Sequence, residues 1–131
     1  MGFLSRLEAP AYTAMRAVLG LLFAFHGVQK LFGWLATKPT PPVFSQLWVG
    51  GAIELVCGAL LVVGLGTRLS AFLASGTMAV AYFQFHWKWE SADWHWLPMV
   101  NRGELAAVYC FAFLYIAARG PGRLALDNRL R

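Results

Sequence analysis

The sequence is short of charge. Acidic and basic side chains make up 13% of the 131 residues while 59% are hydrophobic, against ~25% charged in ordinary soluble domains. A single soluble core of this size could not hide so much apolar surface, so lipid is expected to cover it. Cysteine is equally sparse. Cys57 and Cys110 form no C-x-x-C and lie inside separate apolar segments, where they read as small buried hydrophobes, with a redox thiol as the alternative. Counted along their helices they sit about 18 Å and 12 Å deep, an offset that argues against a disulfide between them. His86, Glu90, Asp93 and His95 crowd one loop, but their spacing matches no ligand motif, so no metal is expected. No flavin, haem or iron–sulfur signature is present, which excludes a self-contained redox enzyme built on one of those groups. Nucleic acid is excluded as a partner too. The net charge is +5, yet the cations are mostly arginines at the ends of apolar segments, without the aromatic interleaving of a nucleic-acid motif.

What is present is a series of apolar helices, forming one domain over residues 1–131. Arg6 ahead of an apolar run looks like the start of a signal peptide, but the run continues through His26 and Lys30 without a small-residue cleavage site. It is read as a retained first helix, Tyr12 to Trp34. Arg16, Gly20, Phe23, Gly27, Lys30 and Trp34 form one stripe at spacings of four and three, with His26 beside it, so this face should turn inward. Three prolines in Pro39 to Pro42 impose an extended loop. Ser45 then caps a second helix to about Leu65, ended by Gly64 and Gly66, with Thr67 as cap of the third. That third helix, Arg68 to Trp87, contains the only uncharged stretch longer than 18 residues. Its small or polar stripe is Ser70, Ala74, Thr77, Ala81 and Gln84. After a tryptophan-rich loop, Asn101 and Glu104 have the spacing of a capping box opening a fourth helix, which Gly120 to Gly122 ends near Arg119. The expected fold is therefore all-α, an integral membrane bundle of four transmembrane helices.

Four spans place both termini on one side. Arg6, Arg16, Arg68, Arg119, Arg123, Arg129 and Arg131 fall there, against Lys30, Lys38, Lys88 and Arg102 opposite, so both termini are expected in the cytoplasm. All six tryptophans then gather at the outer end, as an aromatic cap. Arg16 is expected to reach the inner headgroups.

The polar residues inside these helices are the candidate site. Glu54 shares a helix face with Gly50 and Gly58 and lies too deep to reach an interface. An ionisable group in such a place is expensive and marks either a functional site or a structural ion pair. Its candidate partners are His26 and Lys30, four apart on one face. At 1.5 Å per residue, Glu104 is about 3 Å deep, Gln84 about 5 Å, Lys30 about 6 Å, His26 about 12 Å and Glu54 about 13 Å. These groups converge on a polar cavity in the outer half of the bilayer, with Gln29, Tyr82 and Tyr109 as further lining. Lys30 has the alternative of snorkelling to the interface, and Glu104 that of capping its helix.

The chain resembles the DoxX family of small bacterial membrane proteins. The resemblance rests on HGVQKLFG at His26–Gly33, GAIELVCGALLVVGLGTRLSA at Gly51–Ala71, NRGE at Asn101–Glu104 and GPGRLALD at Gly120–Asp127, in the family's order. It implies a four-helix bundle in the cytoplasmic (inner) membrane, with some relatives acting as subunits of thiosulfate:quinone oxidoreductases and others accompanying thiol or quinone-detoxification enzymes. By motif match it carries over His26, Lys30, Glu54 and Glu104. The expected function is a membrane subunit of a quinone- or thiol-linked redox system, with a soluble or membrane redox enzyme as partner. No covalently bound cofactor is expected, and a quinone is the redox ligand the cavity would take. The alternative is a non-catalytic scaffold or small-solute carrier whose charges only lock the bundle. Nothing in the sequence specifies an oligomer.

Overall fold

The computed structural model describes residues 2–87 and 94–130. Lys88, Trp89, Glu90, Asp93 and Arg131, invoked above, lie outside them. The described chain is all-α: α1 (Gly2–Arg6), α2 (Glu8–Phe32), α3 (Gln46–Val63), α4 (Thr67–Ala81), α5 (Pro98–Asn101) and α6 (Glu104–Arg119). A π-helical turn, Tyr82–His86, prolongs α4, and a 3₁₀ turn, Leu126–Asn128, follows α6. The four long helices pack as two close pairs, α2 with α3 and α4 with α6, joined through α3 and α4.

Glycine sets the first pair. A β-carbon at Gly58 would come 2.6 Å from the Gly20 carbonyl oxygen, and one at Gly20 2.8 Å from the Gly58 carbonyl oxygen. Only hydrogen at both positions lets the backbones approach so closely. Nearer the loop end Gly27 faces Gly51 and Leu55. The contact line runs through Gly51, not through the Gly50 face read from sequence, because a 51–54–58 spacing tracks the 3.6-residue repeat better than a 50–54–58 one. The α4–α6 pair is built from Ala71, Ala74, Ala106 and Ile116, all buried, and from the Ser75 hydroxyl donating to the Cys110 carbonyl at 2.8 Å. Large aromatics bridge the pairs, with Phe23 4.8 Å from Phe113 between ring centroids and 5.9 Å from Tyr109. Cys57 and Cys110 are both free thiols.

Ser45 caps α3, its hydroxyl accepting from the Trp48 amide at 3.2 Å. Thr67 does not cap α4. Gly66 holds that position, and the Asp127 carboxylate accepts from the Gly66 and Thr67 amides at 2.7 and 2.9 Å. A carboxylate near a helix N-terminus also complements the macrodipole, which a threonine hydroxyl does less well. The Asn101–Glu104 capping box is also absent. Arg102 adopts a left-handed conformation (φ 60°) and Gly103 precedes α6 without a side-chain cap. Asn101 closes this turn locally, accepting from the Gly103 amide at 2.8 Å.

The end of the bundle that carries the termini is tied by arginines acting on carbonyl groups. Arg16 is 1% exposed, so it does not reach a headgroup. It turns inward and donates to Leu61 at the end of α3 (2.6 Å) and to Leu124 of the C-terminal segment (2.5 Å). Arg68 donates to the carbonyls of Ala117, Ala118 and Arg119. These are the last acceptors of α6, which no helical amide can satisfy.

The outer surface is far more apolar than that of a soluble domain, and two charged groups lie inside. Phe25, Val56, Phe72 and Phe111, one from each long helix, are at least half exposed, while Arg16 and Glu54 are buried. Both α2 and α3 are long and apolar enough to cross a membrane. At 15 and 16 residues, α4 and α6 measure about 22–24 Å.

Candidate functional site

The site begins with Lys30 near the end of α2. Its stem runs along Gly51, where a β-carbon would stand 2.8 Å from the Lys30 Cβ. The missing side chain at Gly51 gives the lysine a path toward α3 rather than out to the interface. Its ammonium donates to Glu54 Oε1 at 2.5 Å. The lysine side chain remains 35% exposed and the glutamate side chain 2%. The pair therefore joins a partly solvated cation to an enclosed anion. Glu54 Oε2 is buried without a hydrogen-bond partner, and an unsatisfied buried acceptor costs about 1–3 kcal/mol or more when charged.

Two spaces meet at this pair. One is a pocket of about 210 Å³ whose lining includes the polar side chains of His26, Lys30, Glu54, His86, Arg102 and Tyr109. Phe23, Met78, Leu105 and Ala106 complete its wall. The other is an apolar cleft of about 400 Å³ opening between α3 and α4, bounded by Ile53, Phe72, Val80 and Phe85, with Lys30 and Glu54 at its base. Gly50 and Gly76 line this cleft, and a β-carbon at either would meet nothing within 4 Å. Glycine here leaves a void, the opposite of its use at Gly20 and Gly58. Gln46, from the start of α3, donates to Gln84 and ties α3 to the π turn beside the cleft.

Of the residues singled out by sequence, His26, Lys30, Glu54 and Tyr109 are brought together at the cavity. His26 has no hydrogen-bond partner among the described residues, so its ring is available to a ligand. Tyr109 is buried at 3% exposure. The other four stand elsewhere. Glu104 is exposed at the start of α6 and does not line the cavity. Gln84 is exposed and held by Gln46. Gln29 donates to the Leu35 carbonyl at 3.2 Å, and the Tyr82 hydroxyl donates to the Trp96 carbonyl at 2.5 Å. The described tryptophans do not roof the cavity either. Trp34 and Trp94 are about two-thirds exposed, and none lines it.

His86 and Arg102 are the lining residues that sequence reasoning missed. The π turn explains the first. Its bond from the Trp87 amide to the Tyr82 carbonyl (2.8 Å) spans five residues, so side chains beyond Ala81 leave the 3.6-residue register. Gln84, predicted inward, turns out and His86 turns in. Its Nδ1 lies 3.2 Å from the Asn101 carbonyl oxygen. Arg102 reaches the cavity from its left-handed turn, a conformation few non-glycine residues adopt. A run of aromatics at Tyr82–Trp87 is a weak signal for the π turn, and nothing local signals the Arg102 conformation. No group of three metal-ligating side chains occurs among the described residues.

A bundle of mostly apolar helices enclosing a lysine–glutamate pair, with a polar cavity on one side and an apolar cleft on the other, defines a small membrane-associated helical protein with an internal polar site. The DoxX family profile matches residues 11–87, covering α2 from Ala11 onward, α3, α4 and the π turn with His26, Lys30, Glu54 and His86. The chain belongs to the DoxX family. It is also 39% identical over 118 residues to an uncharacterized protein of Haemophilus influenzae, an alignment covering 88% of this chain and 87% of that one. No solved structure matches the chain.

Proposed function

We propose that this protein is the membrane subunit of a quinone- or thiol-linked redox system, binding a lipid-soluble redox headgroup beside the Lys30–Glu54 pair. In this reading all four long helices cross the cytoplasmic membrane, α4 with the help of its π turn, and both termini are cytoplasmic. The observation that carries the reading is the second oxygen of Glu54, buried and unpartnered where a polar cavity meets an apolar cleft. A headgroup hydroxyl donating to that oxygen would satisfy it. His26 and Lys30 stand where they would donate to a headgroup carbonyl, and the cleft between α3 and α4 suits an apolar tail entering sideways from lipid. Reducing a quinone takes two electrons and two protons. In this reading the electrons come from the partner enzyme. Glu54, with His26 as neighbour, holds and passes the protons.

The test is quinone extracted from the purified protein. About one equivalent per chain is expected, and His26→Phe should lower it several-fold without lowering the melting temperature, because His26 holds no structural bond. Equal retention by the wild type and His26→Phe, or none by either, would sink the reading. It would favour the scaffold alternative, in which Lys30 and Glu54 only lock α2 onto α3.

A further inference from the structure

The cations at the terminal end of the bundle divide into two kinds. Arg16 and Arg68 are consumed by carbonyls of α3, α6 and the C-terminal segment. The side chains of Arg6 and Arg123 have no partner among the described residues. They flank a pocket of about 470 Å³ between the start of the chain and the end of α6, with Ser5, Glu8, Tyr12 and Arg119 in its wall. Arg119 is preorganised. It donates to Glu8 at 2.6 Å and to the Tyr115 hydroxyl at 2.8 Å, and its guanidinium lies 4.3 Å from the Tyr12 ring centroid. Three arginines against one already paired carboxylate leave the pocket with a net charge of +2. Among the described residues every basic side chain at this end is arginine, and Lys30 and Lys38 fall toward the other end. Guanidinium forks match phosphate oxygens two at a time, which an ammonium does not.

We propose that this pocket binds the phosphate headgroup of an acidic phospholipid, with Arg6 and Arg123 as its ligands and Arg119 as the fixed wall. The shared chemistry is a phosphate oxyanion, and the neighbouring surface selects the lipid source. Phe3, Leu4 and Leu7 of α1 and its junction are 72%, 67% and 42% exposed, an apolar rim suited to acyl chains beside a polar pocket. Basic pockets between helices at a membrane face take acidic lipids in this manner. The proposal rests on the reading of the chain as a membrane-spanning bundle but is independent of the redox site.

The experiment is native mass spectrometry of the full chain released from vesicles of phosphatidylglycerol and phosphatidylcholine in equal amounts. One phosphatidylglycerol per chain should be retained in preference to phosphatidylcholine, and Arg6→Gln with Arg123→Gln should lower that retention about thirtyfold. Arg129→Gln, which removes a charge from the same end outside the pocket, should leave retention unchanged. An equal loss with Arg129→Gln would mean a general basic surface and overturn the proposal. So would displacement of the lipid by millimolar inorganic phosphate, which would assign the pocket to a soluble ligand. Recovery of the chain in the soluble fraction would fail the membrane reading. Membrane residence without preferential retention would fail this inference alone.

Discussion

At the scale of single residues, the Lys30–Glu54 pair is asymmetric, and the asymmetry has a measurable consequence. The lysine keeps a third of its side chain exposed while the glutamate is enclosed. Remove Glu54 and the ammonium can swing to the interface on its flexible stem. Remove Lys30 and the carboxylate is stranded. Lys30→Met should therefore destabilise the bundle by about 3 kcal/mol or more, and Glu54→Leu by less. The double variant should recover much of the Lys30→Met loss, a coupling that thermal or denaturant unfolding in detergent would measure. Equal single costs that simply add would mean the pair is not an energetic unit. Residue patterning had placed Lys30 and His26 on one face and Glu54 opposite them, and the bond to Lys30 followed. It left snorkelling open as the alternative for Lys30, because an emptied site at Gly51 on another helix is what directs its stem inward.

At the scale of helices, glycine is used in two opposed ways that separate stability from ligand access. Gly58 touches the backbone of α2, so Gly58→Val must push α2 and α3 apart, at a cost of about 1–3 kcal/mol or more. Gly76 faces open space in the cleft. There Gly76→Leu should stabilise α4 by up to about 1 kcal/mol through helix propensity while occupying the cleft. The expected pattern is a lower melting temperature for Gly58→Val, and an unchanged or higher one for Gly76→Leu together with lower quinone retention. Retention untouched by Gly76→Leu would remove the cleft from the proposed entry route. Gly58 lies in a helix whose limits the sequence made plain through Ser45 and Gly64. The π turn was hidden, since it depends on how Tyr82, His86 and Asn101 meet beyond the end of α4.

For the molecule as a whole, the proposed reading of four spans with both termini in the cytoplasm rests, for its orientation, on the arginine distribution. Reporter fusions after Arg131 and within the Pro39 to Pro42 loop should give opposite signals, cytoplasmic and periplasmic respectively. A periplasmic C-terminus would reverse the orientation and place the Lys30–Glu54 cavity in the inner leaflet. Closure of the terminal end gives the bundle its second fastening. Arg16, Arg68 and Asp127 lie far apart in sequence, yet between them they satisfy the ends of α3, α4 and α6.

The sequence by itself determined the all-α class, the positions of the long helices, and the polar faces of α2 and α3, with His26 and Lys30 as the candidate partners of Glu54. These follow from periodicity and capping, which are set by neighbours within a few residues. Only the tertiary structure decided that Arg16 turns inward, that Asp127 caps α4, that Glu104 and Gln84 stay outside, and that His86 and Arg102 complete the cavity. Each of these depends on a side chain's choice between water, lipid and a partner from a distant segment. Local spacing carries no information about that choice, because the partner's position exists only once the helices have packed.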